Sequence, residues 1–215
     1  MTIHESPNPA QGPFRPGKSI LLASASPRRQ ALLTGLGISF HVQASPYSEP
    51  DPEPGEPAGE YVQRAAEFKA RALASQKIPR VVVAADTVVV AGEDILGKPA
   101  SVSQALDMLS RLNACSHFVL TGCCLVDTTR KRDCVRAFSV CTQVTFSRHS
   151  SDILTAYART GEPMGKAGGY AIQGVGAFLV SRIQGSYSNV VGLPLNETVQ
   201  ALMDLKAITL CPDNE

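Results

Sequence analysis

Hydroxyl and guanidinium side chains stand together in Ser24-Ala25-Ser26-Pro27-Arg28-Arg29, directly after an apolar segment. Ser26 suits the N-cap of a helix, and Pro27 suits its first position because a backbone N–H there would have no partner. Arg28 and Arg29 then lie where the helix dipole is positive, which is unfavourable for a cation unless an anion is bound. These groups suit a polyphosphate. The alternative is a capped surface helix with two solvated arginines.

A single carboxylate interrupts the most apolar part of the chain. Asp86 follows the run Val81-Val82-Val83-Ala84-Ala85, which is typical of a strand buried on both faces, and Thr87 comes next. A carboxylate in such a place is costly unless it is paired, bound to a metal or exposed to a solvated cleft. A carboxylate held on a strand can bind a metal ion or activate water. The alternative is a bend between two strands, with Asp86 accepting hydrogen bonds from backbone N–H groups.

Three other charged residues are candidates for the same site. Lys98 stands in the rigid turn Gly97-Lys98-Pro99, where it would contact a phosphate or remain an ordinary surface lysine. Lys69 falls at the border between the apolar and polar faces of a predicted helix, so it points outward or into a cleft. Glu49 lies in the proline-rich segment 45–59, which excludes a helix and is long enough to lie over a site. Its carboxylate is otherwise simply solvated.

Strands and helices are predicted around these residues from the spacing of apolar positions and from helix caps. In the helix after the proline-rich segment, the apolar face is predicted to include Phe68 together with Tyr61 and Leu73. In chain order, the predicted elements are a strand over 19–23, a helix over 27–36, a strand over 40–43, a helix over 59–75, strands over 81–85 and 88–90, a helix over 101–112, strands over 118–126 and 134–146, and helices over 151–158 and 195–205.

Length and composition limit the possible classes of protein. A chain of 215 residues suits one domain, or one domain of two lobes around a cleft. The net charge of +1 gives no general basic field for nucleic acid or for an anionic membrane. No apolar run is long enough to span a bilayer, and no signal peptide is evident. We predict a flexible extension over 1–18, a single domain over 19–208 and a tail over 209–215.

The six cysteines match no zinc-binding pattern, and several lie in apolar, strand-like segments. Buried free thiols in a reducing compartment are the favoured interpretation. We therefore predict a cytoplasmic protein.

Five segments, in order and in register, resemble the signatures of the Maf family, which is named for a septum-formation phenotype in bacteria. The resemblance runs from about residue 19 to residue 205. Beside the first stretch, the segments are Ala85-Asp86-Thr87, Gly97-Lys98-Pro99, the block from Glu162 to Gly174 and the block from Gly185 to Leu195.

The resemblance implies a nucleoside triphosphate pyrophosphatase, which cleaves between the α- and β-phosphates with help from Mg²⁺ or Mn²⁺. It also implies a two-lobed α/β fold with a mixed sheet, like that of inosine-triphosphate pyrophosphatases, with the active site in the cleft between the lobes. Members are commonly dimeric, so a homodimer is expected.

Roles for individual residues follow from the resemblance by position. Asp86 looks like the proton acceptor, and Glu49 like an acidic residue that helps it with the metal ion. Both are grouped with Lys98 as catalytic. The family's substrate-selecting positions are matched by Arg29, Thr87 and Gln173. Its positions that hold phosphates or support the site are matched by Ser24, Arg28, Lys69, Lys98 and Lys166.

The block around Gln173 is similar to that of the branch acting on dTTP and UTP. A glutamine amide can pair with the O4 and N3–H edge of thymine or uracil, since it offers both a donor and an acceptor. The alternative is an amide satisfied within a glycine-rich turn. Gly165 stands where many members have an acidic residue, which leaves Lys166 without that neighbour.

Two other functions fit parts of the sequence. One is a nucleotide-binding regulator of septum formation with little catalysis, and the other is a 7-methyl-GTP pyrophosphatase of the same family. Nucleic-acid binding is disfavoured by the near-zero charge and the lack of an aromatic and basic surface pattern.

Overall fold

The computed structural model describes residues 4–5, 12–46, 50–76, 78 and 80–211. The strands are β1 (His4–Glu5), β2 (Phe14–Pro16), β3 (Ile20–Leu22), β4 (His41–Val42), β5 (Val81–Ala91), β6 (Asp94–Leu96), β7 (Ser116–Asp127), β8 (Cys134–Phe146), β9 (Val180–Gln184) and β10 (Ile208–Leu210). The α-helices are α1 (Pro27–Thr34), α2 (Ala58–Ala74), α3 (Val102–Leu112), α4 (Ser151–Arg159), α5 (Tyr187–Val191) and α6 (Leu195–Asp204). Short 3-10 helices cover Ala167–Gly169 and Val175–Leu179.

Eight strands form one mixed sheet in the order β1-β4-β3-β5-β7-β8-β9, and β6 pairs with the far end of β5. β3 runs parallel to both β4 and β5, while β7, β8 and β9 follow as antiparallel neighbours. The long strands β5, β7 and β8 form the centre of the sheet.

Helices cover both faces of this centre. On one face, Val83 packs with α1 and α6, and farther along the same strand Val89 packs with α3 and α4. On the other face, α2 covers Val82 and its neighbours. The two clusters on the first face mark two lobes. Together with the mixed sheet and its covering helices, they confirm the predicted two-lobed α/β fold.

The backbone of α2 approaches the sheet very closely at Gly122, in the middle of β7. A Cβ at Gly122 would lie 2.2 Å from the carbonyl oxygen of Val62, so only glycine fits there. Gly122 is paired across the sheet with Asp86. The absence of a side chain at this position therefore sets how closely α2 docks beside Asp86.

The face that α2 buries differs from the predicted one at two positions. Phe68 is 41% exposed, so its predicted place in the core is wrong, whereas Lys69 is only 8% exposed. A helix turns by 100° per residue, and the buried stripe runs through Tyr61, Ala65 and Lys69 at intervals of four. Lys69 belongs to this buried stripe because its ammonium forms an ion pair with the buried carboxylate of Asp86.

Other elements differ in extent. β5 is one continuous strand that carries Asp86 in its middle, so the alternative of a bend between two strands is wrong. β2 pairs with β10, and β1 pairs with β4, so parts of the predicted flexible extension and of the predicted tail are held in sheets. The boundaries of the single domain at 19 and 208 stay a prediction.

The cysteines are free thiols, as predicted. Cys123 and Cys124 are buried, and burial raises the pKa of each thiol to about 12. Cys115, Cys141 and Cys211 are exposed, which differs from the prediction of burial. Within the part of the chain that the structure describes, no helix is both long enough and apolar enough to cross a membrane.

Candidate active site

A gap in the sheet exposes one edge of β5 around Asp86. β3 pairs with β5 as far as Val83, and β6 pairs with it only from Val89 onward. Between these points no strand covers that edge among the described residues. A cavity of about 790 Å³ opens there. It brings together all the predicted site residues that the structure describes, namely Ser24, Arg28, Arg29, Lys69, Asp86, Thr87, Lys98, Lys166 and Gln173. Glu49 lies outside the described residues.

Asp86 forms a buried ion pair with Lys69. The Lys69 Nζ lies 2.5 Å from the Asp86 Oδ1, and the two residues are 8% and 4% exposed. Burial of either charge alone would cost several kcal/mol, and the partner offsets this cost. The Asp86 Oδ2 accepts no hydrogen bond from the residues that the structure describes. The carboxylate is therefore fixed at one oxygen and open at the other.

Thr87 points to the opposite face of β5 because successive side chains of a strand alternate. There Arg29 links three parts of the site. Its Nη2 donates to the Thr87 Oγ1 at 3.0 Å, its Nε to the carbonyl of Gly192 at 2.7 Å and its Nη1 to the Ser24 Oγ at 3.3 Å. The guanidinium thus fixes the positions of α1, β5 and the turn after α5 relative to one another.

The hydrogen bonds continue from Thr87 into the sheet. Its Oγ1 lies 3.0 Å from the Oγ1 of Thr121, which donates to the carbonyl of Asn189 at 2.9 Å. The Asn189 amide in turn donates to the carbonyl of Val119 at 3.0 Å. Thr121 and Asn189 are both fully buried. This network anchors α5 to β7 and holds Thr87 in one orientation.

The start of α1 has the predicted cap. The Ser26 side chain accepts from the backbone N–H of Arg29 at 3.5 Å, and Pro27 is the first helical residue. The backbone N–H of Ser26 donates to the Ser24 Oγ at 3.2 Å. Arg28, in this first turn, lines the cavity.

Arg28 and Lys166 meet at the cavity wall as two cations. Burial lowers the pKa of Arg28, although the negative charge of Glu162 acts in the opposite direction. Burial and the nearby charge of Arg28 also lower the pKa of Lys166. The ammonium of Lys166 donates to the carbonyl oxygen of Glu162. Two half-buried cations that repel each other are stabilised when an anion binds between them.

The carboxylate of Glu162 holds the turn that carries Gln173. Its Oε1 accepts from the backbone N–H of Val175 at 2.9 Å, and its Oε2 accepts from Gly176 at 2.7 Å and from the Tyr157 hydroxyl at 2.8 Å. Burial raises the pKa of Glu162, but these hydrogen bonds outweigh it, so the pKa lies below its usual value. Both oxygens of this carboxylate are therefore engaged.

A second buried pair supports the same block. The Nε2 of His117 lies 2.9 Å from the hydroxyl of Tyr170, and both rings pack edge-on against Phe146. His117 is 1% exposed, and burial lowers its pKa to about 4. The ring is thus neutral at pH 7 and supports Tyr170 at the cavity wall without adding charge.

Lys98 and Gln173 are exposed residues on the rim of the cavity. The turn of Lys98 is joined to the segment after Lys166, because Gly168 donates its N–H to the carbonyl of Gly97 at 3.0 Å. Gln173 follows the buried residues Tyr170, Ala171 and Ile172.

A family model described as Maf-like protein matches residues 19–205. This chain belongs to the Maf family. A dTTP/UTP pyrophosphatase of Nitratidesulfovibrio vulgaris is 49% identical to it over 197 residues, which are 92% of each chain. The dTTP/UTP pyrophosphatase of Myxococcus xanthus is 48% identical over 183 residues, 85% of this chain and 90% of the relative. That of Geobacter sulfurreducens is 46% identical over 189 residues, 88% of this chain and 97% of the relative.

The donor set of this Maf chain fits a divalent ion that arrives with a triphosphate. Mg²⁺ is held in many enzymes by one or two carboxylates together with substrate phosphates and water. Asp86 supplies one such carboxylate with an open oxygen. No group of three acidic, histidine or cysteine side chains that could hold a metal by itself occurs among the described residues.

Four residues that shape the site of this Maf chain have no role that was predicted from the sequence. Tyr157 and Glu162 hold the Gln173 turn, and Thr121 and Asn189 hold Thr87. Glu162 and Asn189 stand within the resembling blocks, which is a signal that could have drawn attention to them. Thr121 and Tyr157 are ordinary residues of a strand and a helix, and only the tertiary contacts give them a role.

Proposed function

We propose that this Maf-family protein hydrolyses dTTP and UTP to the monophosphate and pyrophosphate. The ion pair of Asp86 and Lys69 in the gap of the sheet is the observation that carries the proposal, because it holds a carboxylate with one open oxygen inside a cationic cavity. The names of the relatives support the choice of substrate.

In the proposed reaction, the open Oδ2 of Asp86 takes a proton from the water that attacks the α-phosphorus. Lys69 holds the other oxygen, so the carboxylate keeps one orientation during the attack. A bound Mg²⁺ or Mn²⁺ would neutralise the phosphate charge and polarise the attacked phosphoryl group. Asp86, whose Oδ2 has a second lone pair, and by the resemblance Glu49, would hold it.

The triphosphate is held by cations from separate elements. Arg28 and Lys166 repel each other in a half-buried place, and the charge of a phosphate relieves this repulsion. Lys98 lines the same cavity from the turn that is hydrogen-bonded to the segment after Lys166, and it completes the set. When the anhydride bond between the α- and β-phosphates breaks, the leaving pyrophosphate gains negative charge. These cations therefore stabilise the transition state as well as the substrate.

The base is read on the other face of β5. Thr87, the amide of Gln173 and the aromatic wall at Tyr170 line that part of the cavity. Arg29 acts on selection through Thr87, because its guanidinium nitrogens donate to Thr87, Ser24 and Gly192.

We also propose that the protein is a homodimer and works in the cytoplasm.

The proposal is tested by measuring the pyrophosphate released from dTTP, UTP, CTP and 7-methyl-GTP with Mg²⁺ or Mn²⁺. We expect kcat/KM for dTTP and UTP to exceed that for the other two nucleotides by at least about tenfold. Preference for 7-methyl-GTP would move the protein to the sister branch. Tight nucleotide binding without any product would support a regulator instead.

A further inference from the structure

The direction of one hydrogen bond in the site is determined by a residue outside the cavity. Thr121 donates to the carbonyl of Asn189, since a carbonyl oxygen can only accept. A hydroxyl has one proton, so in the 3.0 Å contact between Thr121 and Thr87 the Oγ1 of Thr121 is the acceptor. Thr87 is therefore the donor, and its proton points away from the cavity.

The reverse direction is less favourable. The carbonyl of Asn189 also accepts from the N–H of Gly192 at 3.0 Å, which its second lone pair allows. If Thr121 donated to Thr87 instead, its bond to Asn189 would be lost, and its own oxygen would accept nothing in a fully buried place. One internal hydrogen bond would then replace two. The arrangement with Thr87 as the donor is thus retained when a ligand enters.

Thr87 consequently meets a ligand as an acceptor only. A hydroxyl has two lone pairs, and the Nη2 of Arg29 already donates to one of them. The remaining lone pair requires a ligand group that donates. Thr87 shares its face of β5 with Val89, which packs in the same cluster as Tyr170 and Ile172, so this lone pair lies on the side of the Gln173 block.

The Gln173 amide cannot provide the same selection by itself. It offers a donor and an acceptor, and a turn of 180° exchanges them. Among the described residues no hydrogen bond fixes the amide of this exposed side chain. Gln173 can therefore donate to O4 of uracil or, after the turn, accept from the N4 amino group of cytosine.

We propose that Thr121 is a positioning residue that determines base selection by keeping Thr87 an acceptor. The N3–H of uracil or thymine donates to Thr87 while Gln173 donates to O4, whereas N3 of cytosine is an acceptor and is rejected by the lone pair of Thr87. The inference rests on the proposed function, because it refines which pyrimidine that site accepts. It assigns selection to a direction of hydrogen bonding rather than to the shape of the cavity.

The test compares kcat/KM for UTP and CTP in the wild type and in Thr121→Val, which keeps the volume but removes the hydroxyl. Thr87 then turns its proton towards the ligand, and we expect the UTP/CTP ratio to fall by about tenfold. Thr121→Ser, which retains the hydroxyl, should keep the UTP/CTP ratio of the wild type. The matched control is Thr198→Val, because Thr198 is also buried and donates to a backbone carbonyl, at 2.7 Å, but its partners, Pro194 and Cys123, do not line the cavity.

An unchanged ratio in a folded Thr121→Val, or an equal loss with both nucleotides, overturns the proposal. Thr121→Ala repeats the measurement if the valine variant does not fold. The ratio of the Kd values for UMP and CMP, measured by calorimetry, tests the same base discrimination without turnover. Absence of hydrolysis in the wild type would therefore count against the proposed function, whereas an unaltered Kd ratio would count against Thr121.

Discussion

Two carboxylates line the same cavity, and the structure uses them in opposite ways. Glu162 has both oxygens engaged by two backbone N–H groups and a tyrosine hydroxyl. Asp86 has one oxygen bound to Lys69 and the other open to the cavity. A carboxylate with both oxygens bound to the protein acts as a clamp, whereas one with an open oxygen can take a proton. Residue type and position on the cavity wall do not distinguish these roles, but the hydrogen bonds do.

The largest effect is expected from Asp86→Asn. An amide cannot accept a proton from water at neutral pH, so we expect kcat to fall by about 10³-fold while nucleotide affinity is largely retained. The measurement is pyrophosphate release in single-turnover experiments, with affinity followed by calorimetry. Asp127→Asn is the matched control, because Asp127 is also buried and pairs with a lysine, Lys18, at 2.6 Å, but lies outside the cavity. Undiminished turnover by Asp86→Asn would refute the assigned role.

The next effect concerns the partner of the open carboxylate. Lys69→Met leaves Asp86 buried without its ion pair, and the free energy of unfolding should fall by about 3 kcal/mol. The double variant Lys69→Met with Asp86→Asn should recover a large part of this loss, because no unpaired charge remains. Urea unfolding of the four proteins in this cycle measures the coupling. Additive losses would mean that the pair contributes little.

A smaller effect is expected when the clamp is weakened. In Glu162→Gln, the amide nitrogen replaces an oxygen that accepts a hydrogen bond from an N–H or O–H group. Two donors then face each other, so the Gln173 turn loosens. We expect KM for UTP to rise by about tenfold, with a smaller change in kcat, because a positioning interaction is worth about 1.4 kcal/mol at this scale. Glu67→Gln, which disrupts only the surface pair with Arg71, should leave KM unchanged. Loss of kcat alone in Glu162→Gln would instead make Glu162 part of the chemistry.

The smallest effect is a dependence of stability on pH. Burial lowers the pKa of His117 to about 4, below its unfolded value of about 6.5. The stability contributed by the neutral ring is therefore complete above pH 6.5 and is lost as the pH falls towards 4. We expect a decrease of about 1 kcal/mol between pH 7 and pH 5.5 from this group. Urea midpoints of the wild type should show this decrease, and those of His117→Gln should lack it.

The sequence predicted the long central elements well, because their apolar periodicity is strong. The helix over 59–75 is present, the two strands predicted around Asp86 form the single strand β5, and the cap at Ser26 forms as its residue types require. The position of Phe68 could not be predicted, since the buried stripe of α2 is completed by Lys69, and a buried lysine requires a carboxylate from a distant strand. That information exists only in the tertiary structure.

The resemblance placed the candidate residues by position, and the structure brings those that it describes into one cavity. Their hydrogen-bond partners could not be predicted. Thr121 is a single polar residue of an apolar strand, and nothing local in the sequence relates it to Thr87 or to Asn189. The pairing of β5 with β7 makes that relation, since Thr87 and Thr121 are direct neighbours in the register. Roles that depend on such a long-range register need the fold.

The glycine opposite Asp86 affects the position of Lys69 although it lies outside the cavity. Gly122 lets the backbone of α2 settle onto β7, and the same helix carries Lys69 to Asp86. One added methyl group at Gly122 would displace the helix and with it the ammonium, although no group that touches a nucleotide would change. A position buried in the sheet thus matters for the proposed catalytic pair as much as Lys69 does, and a screen for inactive variants should recover substitutions there as often as substitutions at Lys69.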